Sequence, residues 1–202
     1  MRLTEKQFDA LQEIVNIGVG RAAGMLNQMV DSRIILEIPY IKVLNAADLH
    51  KELAKKFNGD CFAAVRQGFK GSFCGTAELV FPTESASKLV AVLTGEEQGS
   101  PDLDAVKIGT LSEIGNIIIN SIMGSISNLL RQQMNYALPL YLEDTVENLL
   151  LLDNIRNSTI ILAQTSFIIE RLEITGDMLL VFELSSFDAL LAAIEQEVGL
   201  QF

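Results

Sequence analysis

A polar pair with helical spacing occurs twice in this chain of 202 residues. The first copy is Leu11-Gln12-Glu13-Ile14-Val15-Asn16-Ile17, and the second is Leu111-Ser112-Glu113-Ile114-Gly115-Asn116-Ile117. A proline follows each asparagine at the same distance, as Pro39 and Pro139. A duplicated scaffold has to repeat its apolar positions in order to rebuild its core, but it has no structural need to repeat a polar pair. The repetition therefore indicates a function for the pair.

Each pair is predicted to lie on the exposed face of a long helix. At about 100° per residue, one stripe of each helix is mainly apolar and is expected to face the core. The first stripe contains Phe8, Leu11, Val15, Gly18, Ala22, Met25 and Met29, and the second contains Leu111, Ile118, Ile122, Ser125 and Leu129. The Glu and Asn of each copy lie opposite these stripes. A single face of this kind would be a solvated surface, but two identical faces argue for a shared task.

The pattern around the first pair can be compared with known families. Asp9-x-x-x-Glu13-x-x-Asn16, then 22 residues and Pro39, resembles the signature of the CheC/CheX/FliY family. Members of that family are phosphatases that dephosphorylate the chemotaxis response regulator CheY. The run from Asn16 to Ala23 also resembles the segment that continues the signature. With two motif copies in a chain of this length, the sequence is most similar to the CheC branch.

The second copy departs from the pattern at one position. Glu113, Asn116 and Pro139 are all present, but Gly109 stands where the family has Asp or Ser. The second pair therefore matches the family signature except at residue 109, where the Asp or Ser side chain is absent.

The resemblance implies a catalytic role for all four residues of the two pairs. Asn16 and Asn116 would orient the water that attacks the aspartyl phosphate, because an amide can accept a hydrogen bond from water and donate one to a phosphoryl oxygen. Glu13 and Glu113 would contact the regulator's active-site lysine. Phosphoryl transfer depends mostly on placement and electrostatics. No metal or cofactor of the protein's own is expected, and the Mg²⁺ is expected in the partner regulator.

The resemblance also leaves other functions open. Besides the phosphorylated CheY-type regulator, it implies the deamidase CheD as a partner, so the chain could be a non-catalytic or regulatory adaptor. An adaptor would not require the amide groups, which favours catalysis. A flagellar switch component of the FliY type would be expected to carry a further C-terminal domain, and a CheX-like dimeric phosphatase would be expected to show one strong motif copy.

The bulk composition excludes several classes of function. A net charge of −11 and a pI near 4.5 argue against nucleic acid as a partner. No apolar run approaches the ~20 residues of a membrane span, so we expect a cytoplasmic protein. One histidine, His50, and two cysteines make a zinc cluster or a Ser-His-Asp triad a poor match. Cys61 and Cys74 are expected to be small core residues.

Local patterns predict an α+β fold made of two similar halves. Predicted helices cover about 4–30, 84–93, 103–133 and 185–197, and predicted strands cover 33–43, 61–69, 72–81, 136–142, 159–169 and 173–184. Thr4 to Gln7 reads as a capping box, Thr83 as an N-cap, and 95–102 as a linker. We predict one domain, 1–202, built from two internal repeats of about 1–100 and 101–202. The two pseudosymmetric helix-strands-helix halves would share an antiparallel sheet with helices packed on it.

Overall fold

An antiparallel sheet with helices on it forms the structure, as the predicted α+β class requires. The computed structural model describes residues 3–29, 33–57, 61–95, 103–146, 148, 158–169 and 172–199. The helices are α1 (Glu5–Met29), α2 (Ala46–Phe57), α3 (Thr83–Thr94), α4 (Leu103–Leu129) and α5 (Leu184–Gly199). The strands are β1 (Ile34–Leu44), β2 (Phe62–Gly71), β3 (Gly75–Pro82), β4 (Met134–Tyr136), β5 (Leu140–Asp144), β6 (Ser158–Ile169) and β7 (Leu172–Glu183).

The strands form one seven-stranded sheet in the order β1-β6-β7-β3-β2-β4, and β5 also pairs with β2. The central strands β3 and β7 pair so that Glu78 lies opposite Leu179. The segments Leu79-Val80-Phe81 and Leu180-Val181-Phe182 repeat with an offset of 101, and the same offset relates Glu78 to Leu179. A twofold arrangement of two repeats requires a pairing of this kind, although the repeat itself stays a prediction.

The two long helices α1 and α4 pack against each other above one face of the sheet. Gly18 of α1 lies so close to α4 that an added Cβ would be 2.5 Å from the Cα of Ile122. The carboxyl end of α1 lies beside the amino end of α4, where Met29 and Gly109 line the same groove. The two helices are therefore antiparallel. The other face of the sheet is covered by α2 through Leu49, Leu53 and Phe57.

The predicted start of α1 is confirmed, whereas the predicted cap of α3 is wrong. The Thr4 backbone N–H donates to Gln7 Oε1 at 2.8 Å, and the Gln7 N–H donates to Thr4 Oγ1 at 3.2 Å. Pro82 rather than Thr83 occupies the N-cap position of α3, without a side-chain hydrogen bond. The Thr83 hydroxyl donates to the Cys61 carbonyl at 2.9 Å instead. It thereby ties the start of α3 to the residue that precedes β2.

Several boundaries differ from the prediction for local reasons. Helix α4 ends at Leu129 and not near 133, since Arg131 adopts a positive φ of 51° that does not continue a helix. The predicted strand 136–142 is two strands separated at 137–139, where Pro139 lies. Pro39 lies at a register shift of β1 between Glu37 and Tyr40. Both interruptions follow from the missing N–H of proline. Residues 96–102 of the predicted linker lie outside the described residues.

Three side chains predicted for the core are exposed instead. Met25, Met29 and Leu129 expose 49%, 56% and 42% of their surface. They lie near the carboxyl ends of α1 and α4, where open grooves form between the helices and their neighbours. The helical period identified the apolar stripe that faces inward. It did not show that the last residues of this stripe lie beyond the packed core.

The prediction that both cysteines are core residues is also wrong. Cys61 is exposed, because it precedes the first residue of β2, and Cys74 is half-buried in the connection between β2 and β3. Both are free thiols. In the described part of the chain, no helix combines the length and apolar character needed to cross a bilayer.

The contact at Gly18 gives a direct test of the helix packing. Replacement of Gly18 by Ala is expected to destabilise the protein by about 1–3 kcal/mol, since the methyl group would meet backbone atoms of α4. The matched variant is Gly24→Ala on the same helix, where an added Cβ has nothing within 4 Å. That variant should gain up to about 1 kcal/mol from helix propensity. Urea unfolding measures both, and equal stabilities would contradict the packing.

Candidate active site

The structure places both predicted pairs on the outer faces of α1 and α4. Glu13, Asn16 and Glu113 are exposed, as predicted, whereas Asn116 is half-buried. Residues three apart on a helix have neighbouring side chains, with Cβ atoms about 5–6 Å apart. Each Glu therefore lies beside the Asn of its own copy. Each copy presents a carboxylate and an amide to the same area of surface.

The antiparallel packing keeps the two pairs apart. With Gly18 beside Ile122, Asn16 lies near residue 124 of α4, which is eight residues from Asn116. This corresponds to about 12 Å along the helix axes. The structure therefore forms two separate candidate sites and not one combined site. We call Glu13 and Asn16 the first site, and Glu113 and Asn116 the second site.

An apolar groove lies beside the glutamate of each site. The first groove has a volume of about 220 Å³ and the second a volume of about 330 Å³. The first is lined by Ala10, Glu13, Ile14, Ile17, Leu129, Leu130, Ile194 and Glu197. The second is lined by Leu26, Met29, Ile34, Leu93, Thr94, Gly109, Thr110, Glu113 and Ile114. Several lining positions correspond between the halves, such as Leu129 with Met29. Both carboxylates thus stand next to partly exposed apolar surface.

The two asparagines differ in their own contacts. Within the described residues, the Asn16 side chain has no hydrogen-bond partner in the protein. The following turn carries Gly20, where an added Cβ would meet nothing within 4 Å. In the second site, Asn120 occupies that position, and its Nδ2 donates to Asn116 Oδ1 at 2.7 Å. Asn16 is therefore free to reach outward, and Asn116 is engaged with its own helix.

Several neighbouring residues were not identified from the sequence as part of the site. Ile17, Met25 and Leu129 are large exposed apolar side chains close to the pairs. Apolar spacing placed Met25 and Leu129 in the core, so no sequence signal pointed to their exposure. Asn120 lay on the expected outer face, but its contact with Asn116 could not be read from spacing alone. A third groove beside Asn116 also includes Arg21, which donates from Nη1 to Ser125 Oγ of α4 at 3.2 Å.

The other concentration of charged groups lies across the sheet, next to α2. Tyr40, Glu52, Lys56 and Asp177 line a cavity of about 190 Å³ there. Burial raises the pKa of Asp177, and the nearby Lys56 ammonium at 2.6 Å opposes that rise. The lysine thus compensates the buried carboxylate, and the cluster reads as a structural ion pair. Among the described residues, no three His, Cys, Asp or Glu side chains are grouped to hold a metal ion.

One curated relative supports the sequence resemblance. No profile of a protein family matches the chain. The CheY-P phosphatase CheC of Bacillus subtilis strain 168 is 27% identical over 146 residues, which is 68% of this chain. The aligned region covers 66% of the length of that relative.

Solved structures with a similar fold come from chemotaxis and flagellar proteins. The X-ray structure of FliY from Thermotoga maritima matches 98% of this chain and 100% of its own, with a TM-score of 0.75 and 19% identity. CheX in the CheX–CheY–BeF3–Mg²⁺ complex from Borrelia burgdorferi matches 85% of this chain and 99% of its own, with a TM-score of 0.53 and 18% identity. FliM in a FliG–FliM complex from H. pylori matches 94% and 100%, with a TM-score of 0.66 and 12% identity.

The motif, the relative and the fold agree with one another. The signature around Glu13 and Asn16 resembles one family, the CheC relative comes from that family, and the fold is that of FliY and CheX. On this combined ground, the chain is similar to the CheC/CheX/FliY family in its motif, in one curated relative and in its fold.

Proposed function

We propose that this protein hydrolyses the aspartyl phosphate of a CheY-type chemotaxis response regulator, with Asn16 and Asn116 each orienting an attacking water. The observation that carries the proposal is the exposed Glu13–Asn16 pair, whose amide has no partner among the described residues of its own chain. The relative with the printed name CheY-P phosphatase supports the reaction. The neighbour solved as a CheX–CheY complex supports the partner.

For this reaction the enzyme has to supply little more than the correct position of the attacking water. An aspartyl phosphate is an acyl phosphate and is already activated, and a CheY-type regulator would hold the Mg²⁺ and the lysine that balance the phosphoryl charge. The missing element is a water in line with the bond that breaks. The Asn16 oxygen would accept from that water while the amide NH₂ donates to a phosphoryl oxygen. Positioning of this kind can supply part of the roughly 7–11 kcal/mol available from ideal orientation.

The glutamates would dock the regulator. Glu13 and Glu113 are exposed carboxylates, and each suits a lysine at the rim of the regulator's active site. The net charge of −11 would favour approach of a positively charged surface. The exposed apolar side chains Ile17 and Met25 lie beside the pairs and would exclude water around the contact. The proposed interface thus has an apolar centre and charged groups next to it.

The water-orienting role predicts how loss of the amides changes the rate. Asn16→Ala combined with Asn116→Ala is expected to reduce phosphate release from the phosphorylated regulator by about 10²-fold or more, since removal of a group that stabilises the transition state costs this much in other enzymes. Each single variant should keep part of the activity. The readout is released phosphate under single-turnover conditions.

Asn135→Ala provides a control for the asparagine variants. It removes an exposed amide from strand β4, which lines none of the grooves described above, and should leave the rate unchanged. A double asparagine variant that is folded and works at the wild-type rate would refute the proposed function.

The docking role of the glutamates predicts a different kinetic change. Glu13→Lys with Glu113→Lys is expected to raise KM for the phosphorylated regulator by about tenfold, because a charge pair becomes a repulsion. The turnover of the bound complex should change less, since the asparagines remain. Steady-state kinetics at two salt concentrations measure this, and higher salt should reduce the difference.

The control for the charge change is Glu37→Lys. Glu37 is an exposed residue of β1, so a lysine there produces the same change in charge per site away from both pairs. An equal rise of KM in that control would show that net charge alone is responsible, and the assigned contact would be wrong.

A second candidate function is that of an adaptor that binds the deamidase CheD. One observation favours a separate binding surface: Leu138 and Leu140 expose 90% and 61% of their surface on either side of Pro139. A mixture of the protein with CheD on a sizing column, with the double asparagine variant alongside, separates the two functions. Binding without catalysis by the wild type would favour the adaptor, and catalysis without binding would exclude it.

A further inference from the structure

The two candidate sites differ at one position that faces the catalytic amide. Four residues after Asn16, the first helix has Gly20, and four residues after Asn116, the second helix has Asn120. Residues four apart lie above one another on the same face of a helix. The second site therefore carries an additional amide next to its asparagine, and the first site carries no side chain there.

The additional amide holds Asn116 in place. Asn120 Nδ2 donates to Asn116 Oδ1 at 2.7 Å, and both residues are half-buried beside the groove that contains Arg21. The Oδ1 atom of Asn120 is itself buried and has no partner in the described part of the chain. Packing therefore fixes the Asn120 amide, with its NH₂ directed at Asn116. Asn116 is also less exposed than Asn16.

We propose that Asn120 is a positioning residue that restrains Asn116 and makes the second site slower than the first. This inference rests on the proposed function, because it concerns the rate at which Asn116 orients water. It assigns the faster site to Glu13 and Asn16, and it assigns the difference to Asn120 and not to Gly109.

The restraint acts on the step in which the asparagine enters the regulator. To reach the phosphoryl group, Asn116 has to turn away from its helix and give up the hydrogen bond to Asn120. That movement leaves the NH₂ group of the half-buried Asn120 without its partner in the protein, and the loss of this hydrogen bond disfavours the movement. A carbonyl oxygen has two lone pairs, so Asn116 can still accept from water. The second site is therefore slowed and not abolished. Asn16 has no such bond to break.

The first experiment isolates the second site in an Asn16→Ala background. Addition of Asn120→Ala is expected to raise the turnover by about fivefold, the factor that corresponds to one hydrogen bond of ordinary net strength. KM for the phosphorylated regulator should stay the same, because Glu113 is untouched. In an Asn116→Ala background, where the first site alone works, the same substitution should change nothing.

The reciprocal experiment installs the restraint in the first site. Gly20→Asn in the Asn116→Ala background is expected to lower the turnover, again without a change in KM, but by a smaller factor, because the open surface around Gly20 restrains the new amide less than burial restrains Asn120. The open space around Gly20 accommodates the new side chain. This arm also covers the case in which Asn120→Ala fails to fold, which circular dichroism would reveal.

A matched control is Ser112→Ala in the Asn16→Ala background. Ser112 is a half-buried polar residue of the same helix, it lines none of the grooves described above, and its loss should leave the turnover as it was. An unchanged or lower turnover in folded Asn120→Ala, together with an unchanged turnover in Gly20→Asn, would overturn the inference. A wild-type rate in the double Asn16→Ala, Asn116→Ala protein would overturn the proposed function itself and is a distinct result.

Discussion

The close contact of α1 with α4 at Gly18 is the constraint on which the rest of the structure depends. Without a side chain at this position, the backbone of α1 can approach Ile122 directly, and both helices can rest on one face of the sheet. The inner side of each helix then contacts both the sheet and the other helix. The outer face of each helix remains exposed to solvent, and these faces carry Glu13, Asn16 and Glu113.

This arrangement suits a site that works by insertion into another molecule. Both pairs are presented on long helices that are held by the core, so their backbone positions are fixed. The side chains, in contrast, stand outside the core, and Asn16 has no partner among the described residues. An amide on a rigid support can be placed accurately in a pocket that already contains the metal ion and the lysine. The proposed division of labour explains why a single histidine and few clustered carboxylates suffice for the reaction.

Much of the fold followed from patterns of short range. The periodicity of α1 and α4 and the capping box at Thr4 are local properties, and the structure shows each of them. Exposure of Glu13 and Asn16 followed as well, because the apolar stripe lies opposite. The errors came from contacts between distant parts of the chain. Met25 and Met29 fit the stripe, yet the grooves around the helix ends expose them.

The difference between the two sites, Gly20 in one and Asn120 in the other, also depends on contacts that the local sequence does not show. The sequence shows Gly20 and Asn120 at matching positions, but only the packed structure shows that Asn120 is buried enough to keep its amide directed at Asn116. Thr83 offers a further example, since its hydroxyl binds the Cys61 carbonyl and not the start of its own helix. Helical spacing shows which side chains are close enough to interact, and their burial determines which of these interactions form.

The most direct test of the central claim is nuclear magnetic resonance of the asparagine side-chain amides. The isotope-labelled protein would be titrated with a CheY-type regulator activated by beryllofluoride and Mg²⁺, and with the same regulator left inactive. Insertion of the amide predicts that the Asn16 NH₂ signals shift strongly with the activated regulator and little with the inactive one. Binding of the activated regulator that leaves the Asn16 and Asn116 side-chain signals unchanged would contradict the account.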